Sequence, residues 1–361
     1  MSQPEAGWLV LETGHMFNGR FLGGIERAGE VVFNTSHSGY EEMSTDPSYF
    51  NQILVMTAPM QGNYGDNDSA WESSRVHIQA LVCMEMQNSQ RDAAWKSKLI
   101  SYGVPILSEV DTRSLVLYLR EKGTLWGAVV KEPEWQKAQQ RASHFIVAAQ
   151  NMEKDWPFMV AERAAKEIKG HQKKGPRVAV MDFGCKQNII RELLKRCSLV
   201  CVFPPRTSAE EILKWKPHGL LLSNGPGDPA EVKQAVETVQ SVLGKFFIFG
   251  ICMGHQILAL ALGANTYRLK FGHRGSNHPV KDKLLKTIYV TSQNHGYAVE
   301  KESLPPDVQA THTNLNDGTI EGFFSKTDKC IGIQFHPESH PGPHDAVNLF
   351  DFFIKQLKKK K

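Results

Sequence analysis

Along residues 1 to about 130, apolar side chains recur at every second position in short runs. This is the spacing of strands with one buried face, and turn-forming groups at Asn18-Gly19, Gly23-Gly24 and Asp46-Pro47-Ser48 part the runs. The stretch "DTRSLVLYLREKG" breaks the rule: Leu115, Val116 and Leu119 follow a helical period, Asp111 or Thr112 can cap its start, and Gly123 can end it. From about residue 131 to 175 the chain turns charged and loosely helical, closing on "KGHQKKGP" with little to bury. After Pro176 the pattern changes to alternating units: strand "RVAVMDFG", helix "QNIIRELLKRC", strand "SLVCVFPP", helix "SAEEILKW", strand "GLLLSNGPGDP", helix "AEVKQAVETVQSVLG", strand "KFFIFGI", helix "MGHQILALALG". Short apolar strands separated by amphipathic helices predict a mostly parallel sheet covered on both faces. The organisation expected is a β-rich α+β domain over 1–135, a linker over 136–175 and an α/β domain over 176–361.

Composition narrows the function classes. At 361 residues the chain suits two domains, each able to bury its own interior. The formal charge of +4 comes from 42 basic and 38 acidic residues. Set aside Lys358 to Lys361 and the signs balance, so the body of the protein offers no basic surface to a nucleic acid. No run of apolar residues is long enough to span a membrane, and the N-terminus lacks the pattern of an export signal. Six cysteines scattered without close pairs fit reduced thiols in a cytoplasm, and neither a zinc site nor a disulfide framework.

The candidate chemistry centres on "GICMG". A cysteine between glycines, where a strand gives way to a helix, has the form of a nucleophile elbow, and the helix that begins at Met253 turns its N-terminal amides toward the Cys252 sulfur. A buried structural thiol is the commoner fate of a cysteine, but two glycines at a strand–helix junction favour a nucleophile. Such a thiolate needs a base and a group to orient it. "IGIQFHPE" supplies His336 and Glu338 after a short strand; His255 lies on the elbow's own helix, and His273, His278, His295 and His312 have no acid at comparable spacing. The loop "SNGPGDP" puts Gly225 and Gly227 at the carboxyl end of the sheet, where freed amides can hold an oxyanion.

"GICMGHQ", "SNGPGDP" and "FHPE" together resemble class I, triad-type glutamine amidotransferases over residues 177 to about 355. "GEVVFNTSHSGYEEMSTDPSYFNQIL", "MDFGCKQNIIREL", "KFGHRGSNHPVKD", "TSQNHGYAV" and "SHPGPHDA" are similar to the small-subunit family of carbamoyl phosphate synthetases over nearly the whole chain. The resemblance implies a flavodoxin-like C-terminal domain, Cys252 as nucleophile, His336 as general base and Glu338 as the orienting acid. It implies glutamine contacts from Ser48, Gly225, Gly227, Met253, Gln256, Asn294, Gly296 and Tyr297. Met253 stands where leucine is usual, Tyr297 where phenylalanine is common, and Met60 and Gln61 depart from the family's pattern; none removes a catalytic group. No cofactor or metal is expected in this chain, which has no phosphate-cradling motif. ATP and Mg are expected on a large partner subunit that turns the released ammonia into carbamoyl phosphate for arginine or pyrimidine synthesis. A stand-alone cysteine hydrolase and an inactive scaffold are the rival readings.

Overall fold

The computed structural model describes residues 5–87 and 93–358, which form two units, Met1–Glu153 and Lys154–Lys361. Lys359–Lys361 of the lysine run lie outside the described residues.

In the first unit seven strands close into a barrel. Glu5–Leu11 pairs antiparallel with Met16–Gly23, and parallel pairings join Arg27–Asn34, Gln52–Met56, Ala80–Val82 and Ile106–Ser108. Closure leaves the barrel no open edge. Asn18-Gly19 is not a turn but lies inside the strand Met16–Gly23; the reversal comes at Thr13–His15, with Gly14 at φ 82°. A Cβ on Gly19 would meet the Ser108 carbonyl oxygen at 2.6 Å, so this glycine serves the close approach of a neighbouring strand. The helix Thr112–Lys122 starts and stops as its sequence demands. Asp111 accepts from the Ser114 amide at 3.0 Å, and Gly123, at φ 95°, donates to the Leu119 carbonyl.

Much of the stretch expected to be a linker is ordered secondary structure. Helix Trp135–Gln150 buries Ala138, Ala142 and Ile146 against Val10, Ala28, Ala128 and Val130 of the barrel, so it belongs to the first unit. Beyond the division at 153/154, Lys166–Lys169 pairs antiparallel with Leu199–Phe203 and forms an edge of the second unit's sheet.

That sheet has ten strands. Its centre is parallel, in the spatial order Leu199–Phe203, Arg177–Met181, Gly219–Leu222, Phe247–Ile251, Cys330–Ile333. This is the flavodoxin-like order, and apolar clusters cover both faces. Between the last two parallel strands the chain inserts the long hairpin of Thr266–Asp282 and Thr287–Val299, then Val308–Asn314 and Ile320–Ser325, all antiparallel. The helix Asn348–Leu357, which buries Leu349, Phe350, Phe353 and Ile354, packs on one face.

Candidate active site

Four loops meet at the carboxyl ends of neighbouring parallel strands: those after Arg177–Met181, Gly219–Leu222, Phe247–Ile251 and Cys330–Ile333. This is where open α/β sheets hold their ligands. Each carries a sequence motif singled out above.

Cys252 caps the helix Met253–Ala261 at φ 53°, ψ −106°, a conformation that side-chain-bearing residues rarely adopt. Its surroundings enforce it. The Cys252 amide donates to the Ile333 carbonyl at 2.9 Å, the Gly254 amide to the Ser223 carbonyl at 2.9 Å, and the Gln256 amide back to Cys252 at 3.2 Å. A Cβ on Gly254 would lie 2.2 Å from the Leu222 carbonyl oxygen, and one on Gly250 would lie 2.5 Å from that of Gly254. Both glycines therefore permit a helix to start directly against the sheet. The first-turn amide of Met253 has no helical acceptor behind it and faces the same end of the sheet.

His336 follows its strand and is pinned by its amide, which donates to the Ser292 carbonyl at 2.9 Å. Nδ1 of the ring donates to Oε1 of Glu338 at 2.6 Å. That fixes the tautomer and turns Nε2 toward the Cys252 side chain, at a geometry looser than a regular hydrogen bond. The Cys252 thiol donates to the Asn294 carbonyl at 3.6 Å. Burial disfavours the imidazolium, but the Glu338 charge and the contact with Cys252 outweigh burial and the opposing Lys186, and raise the His336 pKa to about 10. Glu338 is fully buried; burial pushes its carboxyl up, while Lys186 and His336 pull it down to about 2.

Lys186 is the residue that sequence reasoning missed. Only 1% exposed, it sets Nζ 3.2 Å from Oε1 of Glu338 and donates to the Ser339 carbonyl at 2.5 Å. Its amide donates to Oδ1 of Asn224, in the "SNGPGDP" loop, and Asn188 donates to the Glu338 carbonyl. Asp182 shapes the loop that leads to Lys186 by accepting from the amides of Gly184 and Cys185. The only signal in the sequence was a lysine at the first strand–helix junction, where a solvated side chain is the ordinary expectation.

The remaining expected contacts divide. Gly225 lies hard against the Phe183 backbone, where a Cβ would be 2.2 Å from its carbonyl oxygen, and Gly227 sits at φ 94° beside Trp156. Gln256 donates to the Tyr297 carbonyl at 2.8 Å and to Gln334 at 3.1 Å, which ties the elbow helix to the strand bearing Asn294, Gly296 and Tyr297. Ser48 belongs to the first unit, in the turn Pro47–Tyr49, with its amide donating to Oδ1 of Asp46. His255, rejected from the sequence as the base, is fully buried against Phe323, and burial lowers its pKa to about 3. Among the described residues no helix is long and apolar enough to cross a membrane.

Comparison with known proteins agrees with this architecture. A family model described as glutamine amidotransferase class-I matches residues 179–356, and one described as carbamoyl-phosphate synthase small chain, CPSase domain, matches 9–129. The chain is 45% identical to the carbamoyl phosphate synthase small chain of Symbiobacterium thermophilum, over 95% of this chain and 96% of the relative. It is 43% identical to the small chain of Bacillus caldolyticus, over 97% and 96%. It is 42% identical to the pyrimidine-specific small chain of Bacillus subtilis, over 97% and 95%. Both halves match in the order the fold displays them, and the chain belongs to the carbamoyl-phosphate synthase small chain family.

Proposed function

We propose that this chain hydrolyses L-glutamine at Cys252 and hands the ammonia to a large, ATP-using partner subunit for carbamoyl phosphate synthesis. The observation that carries the reading is the buried relay Cys252–His336–Glu338 at the carboxyl edge of the parallel sheet.

The thiolate of Cys252 attacks the side-chain amide carbon of glutamine, and the carbonyl electrons move to oxygen. Backbone amides of Met253 and of the Gly225–Gly227 loop hold that oxyanion. His336, which keeps its proton up to about pH 10, gives it to the departing nitrogen as the C–N bond breaks. Ammonia leaves and a glutamyl thioester remains. The neutral imidazole then takes a proton from water, the hydroxide equivalent attacks the thioester, and collapse releases glutamate and the thiolate. Glu338 holds the ring and balances its charge throughout, and Lys186 in turn fixes Glu338. Gln256, Asn294, Gly296 and Tyr297 position the substrate. No metal or cofactor enters these steps. ATP and Mg are used by the partner, and the complex works in the cytoplasm, with the product going to arginine, pyrimidines or both.

Cys252→Ser tests the reading. With the partner present, glutamine-dependent carbamoyl phosphate synthesis is abolished while synthesis from added ammonium persists. Loss of both would mean that the cysteine is structural, and retention of both would mean that this chain is a scaffold.

A further inference from the structure

Four buried donors converge behind the strand that bears Asn294 and Tyr297. His273 and His295 stand opposite each other across the long hairpin, with ring centroids 4.9 Å apart, and Glu321 reaches them from the strand Ile320–Ser325. One ligand atom from each lies within 4.8 Å of the others. None of the three is more than 8% exposed. We propose that His273, His295 and Glu321, joined by the Gln293 side-chain oxygen, form a site for a divalent transition-metal ion of the zinc class.

The hydrogen bonds around the cluster argue for a cation within it. Nε2 of His273 donates to Oδ2 of Asp317 at 2.7 Å, which leaves Nδ1 as the inward atom. That nitrogen has no hydrogen-bond partner; the nearest oxygen of Glu321 is 3.6 Å away. Nδ1 of His295 donates to the Tyr297 carbonyl at 2.7 Å, so in the neutral ring Nε2 is a bare lone pair. It faces Oε1 of Gln293 at 2.9 Å, an acceptor against an acceptor. The amide is held in that orientation because Thr291 gives its hydroxyl proton to the His278 carbonyl and accepts from Nε2 of Gln293. Asn314 donates to Oε1 of Glu321, and Oε2 is left buried without a partner.

One ligand atom each of His273, His295 and Glu321 thus cluster in the interior, with the Gln293 oxygen against Nε2 of His295, and a cation among them would satisfy these buried acceptors together. Each histidine also donates its outer N–H to a carboxylate or carbonyl, the support that metal-bound imidazoles use. Nitrogen and oxygen donors of this kind suit zinc, with bonds of about 2.0–2.2 Å. Glu321 and Asp317 supply two negative charges to balance the ion. His295 adjoins Asn294, and its Nδ1 shares the Tyr297 carbonyl with Gln256. Metal would thus pin the strand on which glutamine is proposed to lie. The inference goes beyond the glutaminase reading, and its readout needs no glutamine.

The test uses the full chain as Cys252→Ser, so that the elbow thiol is not a ligand, titrated with Zn²⁺ alone and with Co²⁺ alone. The expected result is one equivalent bound, with visible Co²⁺ bands that lack thiolate charge transfer. Glu321→Gln and His273→Ala should weaken binding by about 100-fold or more. Asp317→Asn, a change at a partly exposed side chain with little risk to folding, should weaken it about 10–100-fold. Failure of the parent to bind either ion at micromolar concentration overturns the site and makes His273 an imidazolium held between two carboxylates. Equal binding by the folded Asp317→Asn and Glu321→Gln variants overturns it as well.

Discussion

Replacing Glu338 with glutamine removes one charge and almost no volume, which makes it the sharpest probe of the relay. Burial drives the His336 ring toward its neutral form, and the Glu338 charge is the foremost influence that reverses this and carries the pKa from 6.5 to about 10. A displacement of that size is on the order of 5 kcal/mol in favour of the imidazolium. Without the carboxylate, burial and the positive Lys186 act together, and the ring should titrate below 6.5. At pH 8 it then has no proton for the leaving nitrogen, and kcat for glutamine should fall by about 10²–10⁴-fold. The alkaline limb of the rate profile should move from near pH 10 to below neutrality. Glutamate release measured from pH 6 to 10 reads both effects. Loss of folding is a separate matter: the variant leaves the Lys186 ammonium buried 3.2 Å from a neutral amide, and breaking a buried pair costs about 3–5 kcal/mol. The double variant Glu338→Gln, Lys186→Met removes both charges and should recover most of that stability while activity stays low. The reasoning is refuted if Glu338→Gln keeps more than a tenth of kcat at pH 8 with its alkaline limb still near 10.

Other expectations are independent of that relay. Glu41 in the first unit is held up at about 8, foremost by burial, against an ordinary 4.5. The folded chain therefore keeps a proton that the unfolded chain loses between those values, and stability must fall as pH rises through that window. Glu41→Gln should melt like the parent at pH 4 and higher than the parent at pH 8; a lower melting temperature at pH 8 would contradict the assignment. Gly254→Ala forces a Cβ to 2.2 Å from the Leu222 carbonyl and should cost about 3 kcal/mol or more in urea unfolding, with hydrolysis lost. Asp111→Ala removes a helix cap and should cost about 1 kcal/mol, or about 2–4 °C in melting temperature, with hydrolysis unchanged.

The legible parts of this chain are those whose causes are local. Parallel strands buried on both faces read as apolar runs, so Val178–Met181 and Leu220–Leu222 declare themselves. The elbow is visible because its glycines flank the cysteine, and His336 with Glu338 because a single proline separates a base from its acid. Asp111 and Gly123 bracket a helix from within its own segment. What escaped the sequence depends on distant partners. The helix Trp135–Gln150 hides its buried stripe because two of the three buried positions are alanines, whose apolar character hardly registers among polar neighbours. Gly19 looks like half of a turn until Ser108 is brought beside it. Lys186 looks solvated until Glu338 arrives from the far end of the domain. The unusual backbone of Cys252 is set by Ile333 and Ser223 and leaves no mark in composition.

The strand Phe247–Ile251 that leads to the thiol and the strand Cys330–Ile333 that leads to the imidazole are neighbours in space, yet the whole antiparallel insertion is synthesised between them. At about 5–20 residues per second, a ribosome presents the sulfur several seconds before the base that activates it. A nascent or truncated polypeptide ending before Cys330 would carry Cys252 without Ile333, which helps set the elbow, and without the proton donor, and could not squander glutamine or leak ammonia. Fold topology thus makes hydrolysis one of the last properties this protein acquires during translation.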